Sequence, residues 1–446
     1  MSIEIKLETS DQHTAFAPLA VIGYCFTQSG LLNPLWLELL EFQPKSYKHG
    51  GIEKLQDILV AILAGCRSLA QVNSKIRPDL VLAASWQRKQ FAEQSNLSRT
   101  LDQLTSNDVS GLRQGNHQLL QQHSQLRQHD WKTPILLDID PTSLITSKRS
   151  EGSRKGWVSD QRDQYCRHIL RLTLAGYHEN LLSIAYPGNG HGYEHCKPAI
   201  QTLLSHWSWS KEQRQQIIIR SDAEQGTDAN ISYLLWLGFQ VLVKGYSGPR
   251  TQSWLKRVDE ANWLSHPAFP KRWMVKTPVS LQLGRQLNSY LLRWLNPKNG
   301  HAHAVLHSSL SLSPFALWEL YDQRATTEIE IRSDKSGLLL HLRRKHSLNA
   351  QEAWILLTDV AHNLLAWLHP WMLKDSAFHS FGTKRITQDL FSIPGRIEFH
   401  QGKLIKVALL QTHPFASEMR LCLLNLLKTF NPVSYTHLTL PTSDLV

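Results

Sequence analysis

Apolar residues recur at intervals of three and four through residues 1–130, a spacing that predicts helices. Leu55, Ile58, Leu59, Ile62 and Leu63 form one such stripe, and the Gln-, Asn- and Ser-rich stretches 95–104 and 112–126 set regular leucines on otherwise polar helices. The period changes at Pro134. Pro134-Ile-Leu-Leu-Asp-Ile-Asp140 is a short apolar run closed by acid, the pattern of a buried strand. Residues 168–175 and 181–186 read as two further strands, joined into a hairpin by Gly176-Tyr-His-Glu-Asn180. A helix is predicted over 193–207, a second buried strand over 216–222 that ends in Asp222, then a helix over 232–237 and a strand over 239–244.

Three strands, the last two a hairpin, followed by helix, strand, helix and strand, is the plan of a ribonuclease-H-like α/β fold with a mixed sheet. After residues 131–246, the first part of that core, 247–311 read as a β-rich insertion with strands over 272–277, 290–294 and 301–307. Residues 312–375 read as core helices, one running from Pro314 toward Leu342 with a break near Lys335 and Gly337, another over 350–368. A hairpin turning at Gln401-Gly402 and a closing helix over 415–430 are predicted within 376–432. The helical region 1–130, ahead of a basic core, is expected either to bind DNA ends or to serve as a helical cap or dimer surface. Residues 433–446 resemble a translated sequencing-adaptor tail and are expected to be foreign to the natural protein.

The chain has 446 residues, 42% hydrophobic and 19% charged, which excludes a disordered protein. Lys and Arg number 48 against 37 Asp and Glu, a formal charge of +11, and that surplus points to a polyanion, nucleic acid first. The start, Met1 to His13, lacks the apolar core of a signal peptide, and the apolar run 58–66 is too short to span a bilayer. Five scattered cysteines without a CxxC pair argue against a disulfide scaffold or zinc ribbon.

Asp140 and Asp222 each close an apolar strand. If those strands are parallel neighbours, about 4.8 Å apart, their carboxylates share the C-terminal edge of the sheet and repel unless a divalent cation lies between them. A helix after the insertion carries a third acid. At about 100° per residue, Tyr321, Arg324, Glu328 and Lys335 fall near 0°, −60°, −20° and −40° on one continuous helix. Asp322, Glu330 and Asp334 fall well outside that arc. A face of phenol, guanidinium, carboxylate and ammonium is costly to bury and suits phosphate and metal.

Tyr321-x2-Arg324-x3-Glu328-x6-Lys335 resembles, spacing for spacing, the YREK signature of bacterial insertion-sequence transposases of the DDE type. Leu136-Leu-Asp-Ile-Asp-Pro-Thr142, Ile217-Ile-Ile-Arg-Ser-Asp222 and Pro187-Gly-Asn-Gly190 also resemble that family's segments. The resemblance implies a phosphoryl-transfer enzyme in which Asp140, Asp222 and Glu328 hold two Mg²⁺ ions, with Mn²⁺ able to substitute. It implies that Tyr321, Arg324 and Lys335 contact DNA phosphates, and that Trp273 or Trp294 of the insertion either stacks on a flipped base or packs in the core. It further implies cut-and-paste transposition on double-stranded DNA, from terminal inverted repeats to a target, by a homodimer in a synaptic complex. The setting it implies is the bacterial cytoplasm, associated with the nucleoid and with no membrane partner.

Asp138 and Asp140 point to the same face of their strand. Asp140 is preferred as the metal ligand because it stands at the predicted strand end with Thr142 two residues on, as in the family; Asp138 is a candidate supporting partner. His191, His195 and Cys196 lack a fourth zinc ligand. His301, His303 and His307 share a strand face better explained as polar surface than as a metal site. Arg343-Arg-Lys-His346 is a basic cluster that either touches DNA backbone or ends a solvated helix. The rival functions are a related nuclease without strand transfer, a catalytically idle DNA-binding descendant that represses transposition, and a small-molecule metal hydrolase.

Overall fold

A pair of parallel apolar strands sits at the centre of a ten-stranded sheet in the computed structural model, which describes residues 12–44, 48–158, 161–296 and 300–430. Expectations for the first eleven residues and for the tail 433–446 fall outside the described residues. The chain divides into two units. One comprises Met1–Leu119, Ser333–Arg343 and Leu356–Val446; the other comprises Leu120–Arg332 and Arg344–Ile355.

The sheet belongs to the second unit. Its strands are β1 (Ile135–Ile145), β2 (Arg154–Val158), β3 (Gln161–Leu174), β4 (Glu179–Pro187), β5 (Ile217–Ser221), β6 (Gln240–Lys244), β7 (Leu264–Ser265), β8 (Arg272–Lys276), β9 (Asn288–Asn296) and β10 (Gly300–Ser308). They lie in the order β2-β3-β1-β5-β6-β10-β9-β8-β7, with β4 on β3. β1, β3 and β4 form an antiparallel meander, and β5 and β6 join it in parallel. That is the ribonuclease-H-like order the sequence predicts. Helices α1 (Gly192–His206), α2 (Asp228–Trp236), α3 (Gly248–Leu255), α4 (Pro314–Asp322), α5 (Ala325–Ser336) and α6 (Leu348–Leu368) follow the strands.

Four features depart from the sequence reading. β1 does not stop at Asp140 but runs on to Ile145, paired with β3 as far as Ile145↔Cys166. Its pairing with β5 ends at Ile139↔Ser221, so Pro141, which has no N–H to give, falls beyond the parallel ladder and is tolerated there. The insertion extends the main sheet, because β10 pairs with β6 at Leu306↔Lys244 and Ser308↔Leu242, so β6 is not left as an unpaired edge. β2, an Arg-Lys-Gly-Trp-Val strand, has too polar a pattern to be read as one. Finally, the helix from Pro314 does end near Lys335 and Gly337, where α5 stops at Ser336, but it is also broken earlier, at Gln323 and Arg324.

In the first unit, Leu55, Ile58, Leu59, Ile62 and Leu63 are buried along helix Gly51–Leu63, as their spacing requires. The predicted hairpin spans Gly395–His400 and Lys403–Leu409. Gln401 and Gly402 both have positive φ (49° and 75°), the backbone of a tight two-residue turn. Helix Ala416–Phe430 closes the described chain. Among the described residues, no helix is long and apolar enough to cross a membrane.

His307 on β10, predicted as polar surface, is instead buried, with Nδ1 paired to Ser289 Oγ at 2.8 Å and its ring edge-on to Trp254. Burial pushes this imidazole down to about 4; Arg250 adds to the drop and Asp228 opposes it. An unfolded histidine titrates near 6.5, so between about 6.5 and 4 the unfolded chain takes up a proton that the native chain refuses, and stability falls as pH falls through that window. The contribution is on the order of 3 kcal/mol at full protonation of the unfolded state. His307→Gln is expected to flatten the fall of melting temperature between pH 7 and pH 4; an unchanged slope would remove His307 as its source.

Candidate active site

Where the β1–β5 ladder ends, both strands turn acidic. Asp140 follows Ile139 and Asp222 follows Ser221, and those two residues are the last register pair. Two carboxylates therefore leave adjacent strands at the same end of a parallel pair, the edge at which open α/β sheets build their sites. Asp222 Oδ1 accepts the Glu224 N–H at 3.1 Å, and Glu224 Oε1 accepts the Gly192 N–H at 2.6 Å at the start of α1. The chain then passes Gly226, where an added Cβ would lie 1.7 Å from the Lys244 carbonyl oxygen; only glycine allows that approach.

The third acid arrives through α4. Leu317, Trp318 and Tyr321 of this helix bury against Ile218, Leu242, Met274, Leu292 and Leu306 on one sheet face. Tyr321 is 4% exposed, and its hydroxyl donates to the Ser221 carbonyl at 3.3 Å. Gln323 and Arg324 form the turn into α5, with the Arg324 N–H on the Tyr321 carbonyl at 2.9 Å. From that turn the Arg324 guanidinium donates to Asp140 Oδ1 and, at 2.7 Å, to Glu328 Oε1. Tyr321 and Glu328, drawn with Arg324 on one continuous helix from sequence, thus stand on either side of a break that holds Arg324. Tyr321 and Arg324 both turn inward, and the cost of burying the guanidinium is offset by the two carboxylates it bridges.

Burial is the main cause that pushes the Asp140 carboxyl up to about 7. Arg324 pulls it back, while Asp222, Glu328 and Asp138 add to the rise. Burial works against the Arg324 charge, but Asp140, followed by Tyr321, Asp222 and Glu328, keeps the guanidinium firmly protonated. Asp140 therefore feels the other two acids, and the Arg324 cation stands between it and Glu328.

Two supporting cations escaped the sequence reading. Arg220, on β5, is fully buried and grips Asp138 through two bonds of 2.7 Å, with a third N–H on the Leu320 carbonyl at 2.7 Å. Lys244, the last residue of β6, holds its ammonium 4.7 Å from the Tyr321 ring centre and 5.6 Å from that of Trp294. Burial lowers its pKa and Arg324 adds to this; Asp322, Glu328 and Asp222 pull it back. The only signal either gave in sequence was its position, two residues before Asp222 or at the end of the next parallel strand. Lys335 occupies the last turn of α5 and falls in the first unit. Trp294 is half-buried against the same core as Tyr321, and Trp273 lies 5.4 Å from the Arg293 guanidinium.

As a donor set, Asp140, Asp222 and Glu328 fit a hard divalent cation, being all oxygen and mutually repelling. Among the described residues, no three acidic, histidine or cysteine side chains converge closely enough to hold a metal ion. Arg324 instead lies between Asp140 and Glu328.

Residues 40–430 match the family described as transposase DDE domain group 1. No curated protein matches the chain. Among solved structures, it is similar to a piggyBac transposase in a synaptic complex with hairpin DNA, at 12% identity and a TM-score of 0.45, over 84% of this chain and 79% of that one.

The neighbouring acids should respond differently to neutralisation. Asp138→Asn strands the Arg220 charge in the interior and is expected to destabilise the protein by about 3–5 kcal/mol. Glu328→Gln removes a half-exposed carboxylate from an (i, i+4) pair and should cost under about 1 kcal/mol. Urea unfolding measures both, and equal midpoints for the two variants would refute the assignment of Asp138 to the scaffold.

Proposed function

We propose that this chain, which belongs to the transposase DDE domain group 1 family, cleaves DNA at the ends of an insertion sequence and transfers the freed ends to target DNA. The observation that supports this best is the end of the β1–β5 ladder. Its register sets Asp140 beside Asp222, and Arg324 links Asp140 to Glu328.

Asp140, Asp222 and Glu328 would hold two Mg²⁺ ions, or Mn²⁺ in their stead. Bound there, such ions activate the attacking oxygen and stabilise the leaving 3′-oxygen of an in-line displacement at phosphorus. Arg324 screens Asp140 from Glu328, and its planar fork can exchange these carboxylates for a scissile-strand phosphate. Tyr321, with its ring in the core and its hydroxyl on the Ser221 carbonyl, acts by fixing the turn that aims Arg324. Lys244 supplies positive charge from the β6 end, and Lys335 is the further phosphate contact proposed from its place on α5. Water is the first nucleophile, and the freed 3′-hydroxyl the second. Terminal inverted repeats are the DNA partner, with two copies of the chain in the synaptic complex.

The test uses labelled duplex carrying the inverted repeats that flank this gene. Mg²⁺-dependent nicks at the repeat boundary are expected, and Asp222→Ala should abolish them. Glu328→Gln should cut cleavage by more than the 10- to 100-fold typical of groups that merely support a metal ligand, while repeat binding is kept. Specific binding by the wild-type chain without metal-dependent cleavage would overturn the enzymatic reading in favour of an idle DNA-binding descendant. Full cleavage by Glu328→Gln would remove Glu328 from the site.

A further inference from the structure

Beyond Ile139↔Ser221, the last β1–β5 pair, β1 carries on from Asp140 to Ile145, still paired with β3 but no longer with β5. At about 3.3 Å per residue, Thr146, just past the strand end, lies about 20 Å from Asp140. There the loop of Ser147 to Ser150 faces the segment Arg344 to His346 across a cleft of about 310 Å³, lined by Thr146, Ser147, Ser150, Arg344, Lys345 and His346.

The two walls are tied from within. Arg167, fully buried, donates to the carbonyls of Glu151 (2.7 Å), Lys345 (3.0 Å) and His346 (2.7 Å), and the Glu151 N–H reaches the His346 carbonyl at 3.0 Å. Backbone acceptors of both walls are thereby engaged on the inner side. The side chains of the lining are three hydroxyls, the cations of Arg344 and Lys345 and the His346 imidazole; Thr146 donates to Ser153 Oγ at 2.8 Å, and the Ser147 and Ser150 hydroxyls pair at 3.0 Å. Lys148 and Arg149 stand exposed on the loop, and Glu151, the acid nearest in sequence, accepts the Leu348 N–H at 2.8 Å at the start of α6. The same basic character continues on the neighbouring edge, where Arg154 and Lys155 of β2 are exposed and Arg162 lies 4.7 Å over the exposed Trp157 ring.

We propose that this cleft is a second DNA-backbone site, holding phosphates about six nucleotides from the one cut at Asp140, at about 3.4 Å per nucleotide along a strand. The proposal rests on the DNA-cleaving reading above and adds to it a place on the protein for DNA beyond the reacting phosphate. Hydroxyls and cations without a base-reading element suit the backbone, so the contact should fix register rather than read sequence.

The experiment measures binding of the full chain to a labelled terminal-repeat duplex by fluorescence anisotropy over a range of KCl. Arg344→Ala/Lys345→Ala removes two cations that line the cleft, Lys148→Ala/Arg149→Ala removes two exposed ones from the loop that carries Ser147 and Ser150, and circular dichroism melts verify that both fold. Each double variant is expected to bind about tenfold more weakly at low salt and to reduce the slope of log affinity against log salt by about 1–2, at about 0.9 per lost phosphate contact. On a duplex truncated about four base pairs from the cleavage site, variants and wild type should bind alike, because the phosphates concerned are gone. Unchanged slopes in both variants, with wild-type cleavage intact, would overturn this inference alone. An equal loss on full and truncated duplexes would overturn the assigned distance. No binding of the repeat by wild type would overturn both readings.

Discussion

The guanidinium of Arg220 is bonded to three parts of the site at once. It holds both oxygens of Asp138 on β1, belongs itself to β5, and caps the Leu320 carbonyl near the end of α4. A charge pair buried this deeply stabilises little relative to apolar neighbours, because both ions lose their water. What it supplies is position. Any slip of β5 against β1 would leave two buried charges apart, so the register Asp138↔Arg220 is strongly favoured, and with it Ile139↔Ser221 and the adjacency of Asp140 and Asp222. The bond to Leu320 sets α4 on the same frame, one residue before Tyr321 and four before Arg324.

Much of this was legible in sequence. Apolar runs ending in acid marked β1 and β5, the hairpin of β3 and β4 followed from alternating strands around a turn, and parallel order made the two aspartates neighbours. The break at Gln323 and Arg324 was not legible. No proline or glycine announces it, and it arises because Tyr321 packs into the core while Arg324 is drawn to Asp140. The continuation of β1 was hidden by Pro141, which reads as a stop until the end of the β5 ladder explains why its missing N–H does no harm. Arg220 and Lys244 were passed over because a cation in an apolar strand signals nothing until its partner is seen.

Charge balance then explains why the buried arginine is tolerated. Burial raises the cost of ionising Asp140; Asp222 and Glu328 add to it, and Arg324 offsets part of it. A site of three carboxylates with one internal cation is preloaded for exchange, since any entering positive charge frees the guanidinium and any entering phosphate attracts it. The half-exposed Glu328 is the side chain with most freedom to take part in such an exchange, whereas Asp138 is locked by Arg220.

The two halves of β1 serve different ends because their neighbours differ. Up to Ile139 the strand is flanked by β3 and β5, so its side chains are confined to core and scaffold. From Asp140 onward the pairing with β5 has ended, and polar residues enter among Pro141, Leu144 and Ile145: Asp140, Thr142, Ser143, then Thr146 at the proposed backbone cleft. A single strand can therefore carry both the first acid of the candidate active site and the start of a basic track leading from it. The distance between them is set by covalent geometry, not by side-chain packing, which is why the proposed spacing of DNA contacts follows from the length of β1 alone.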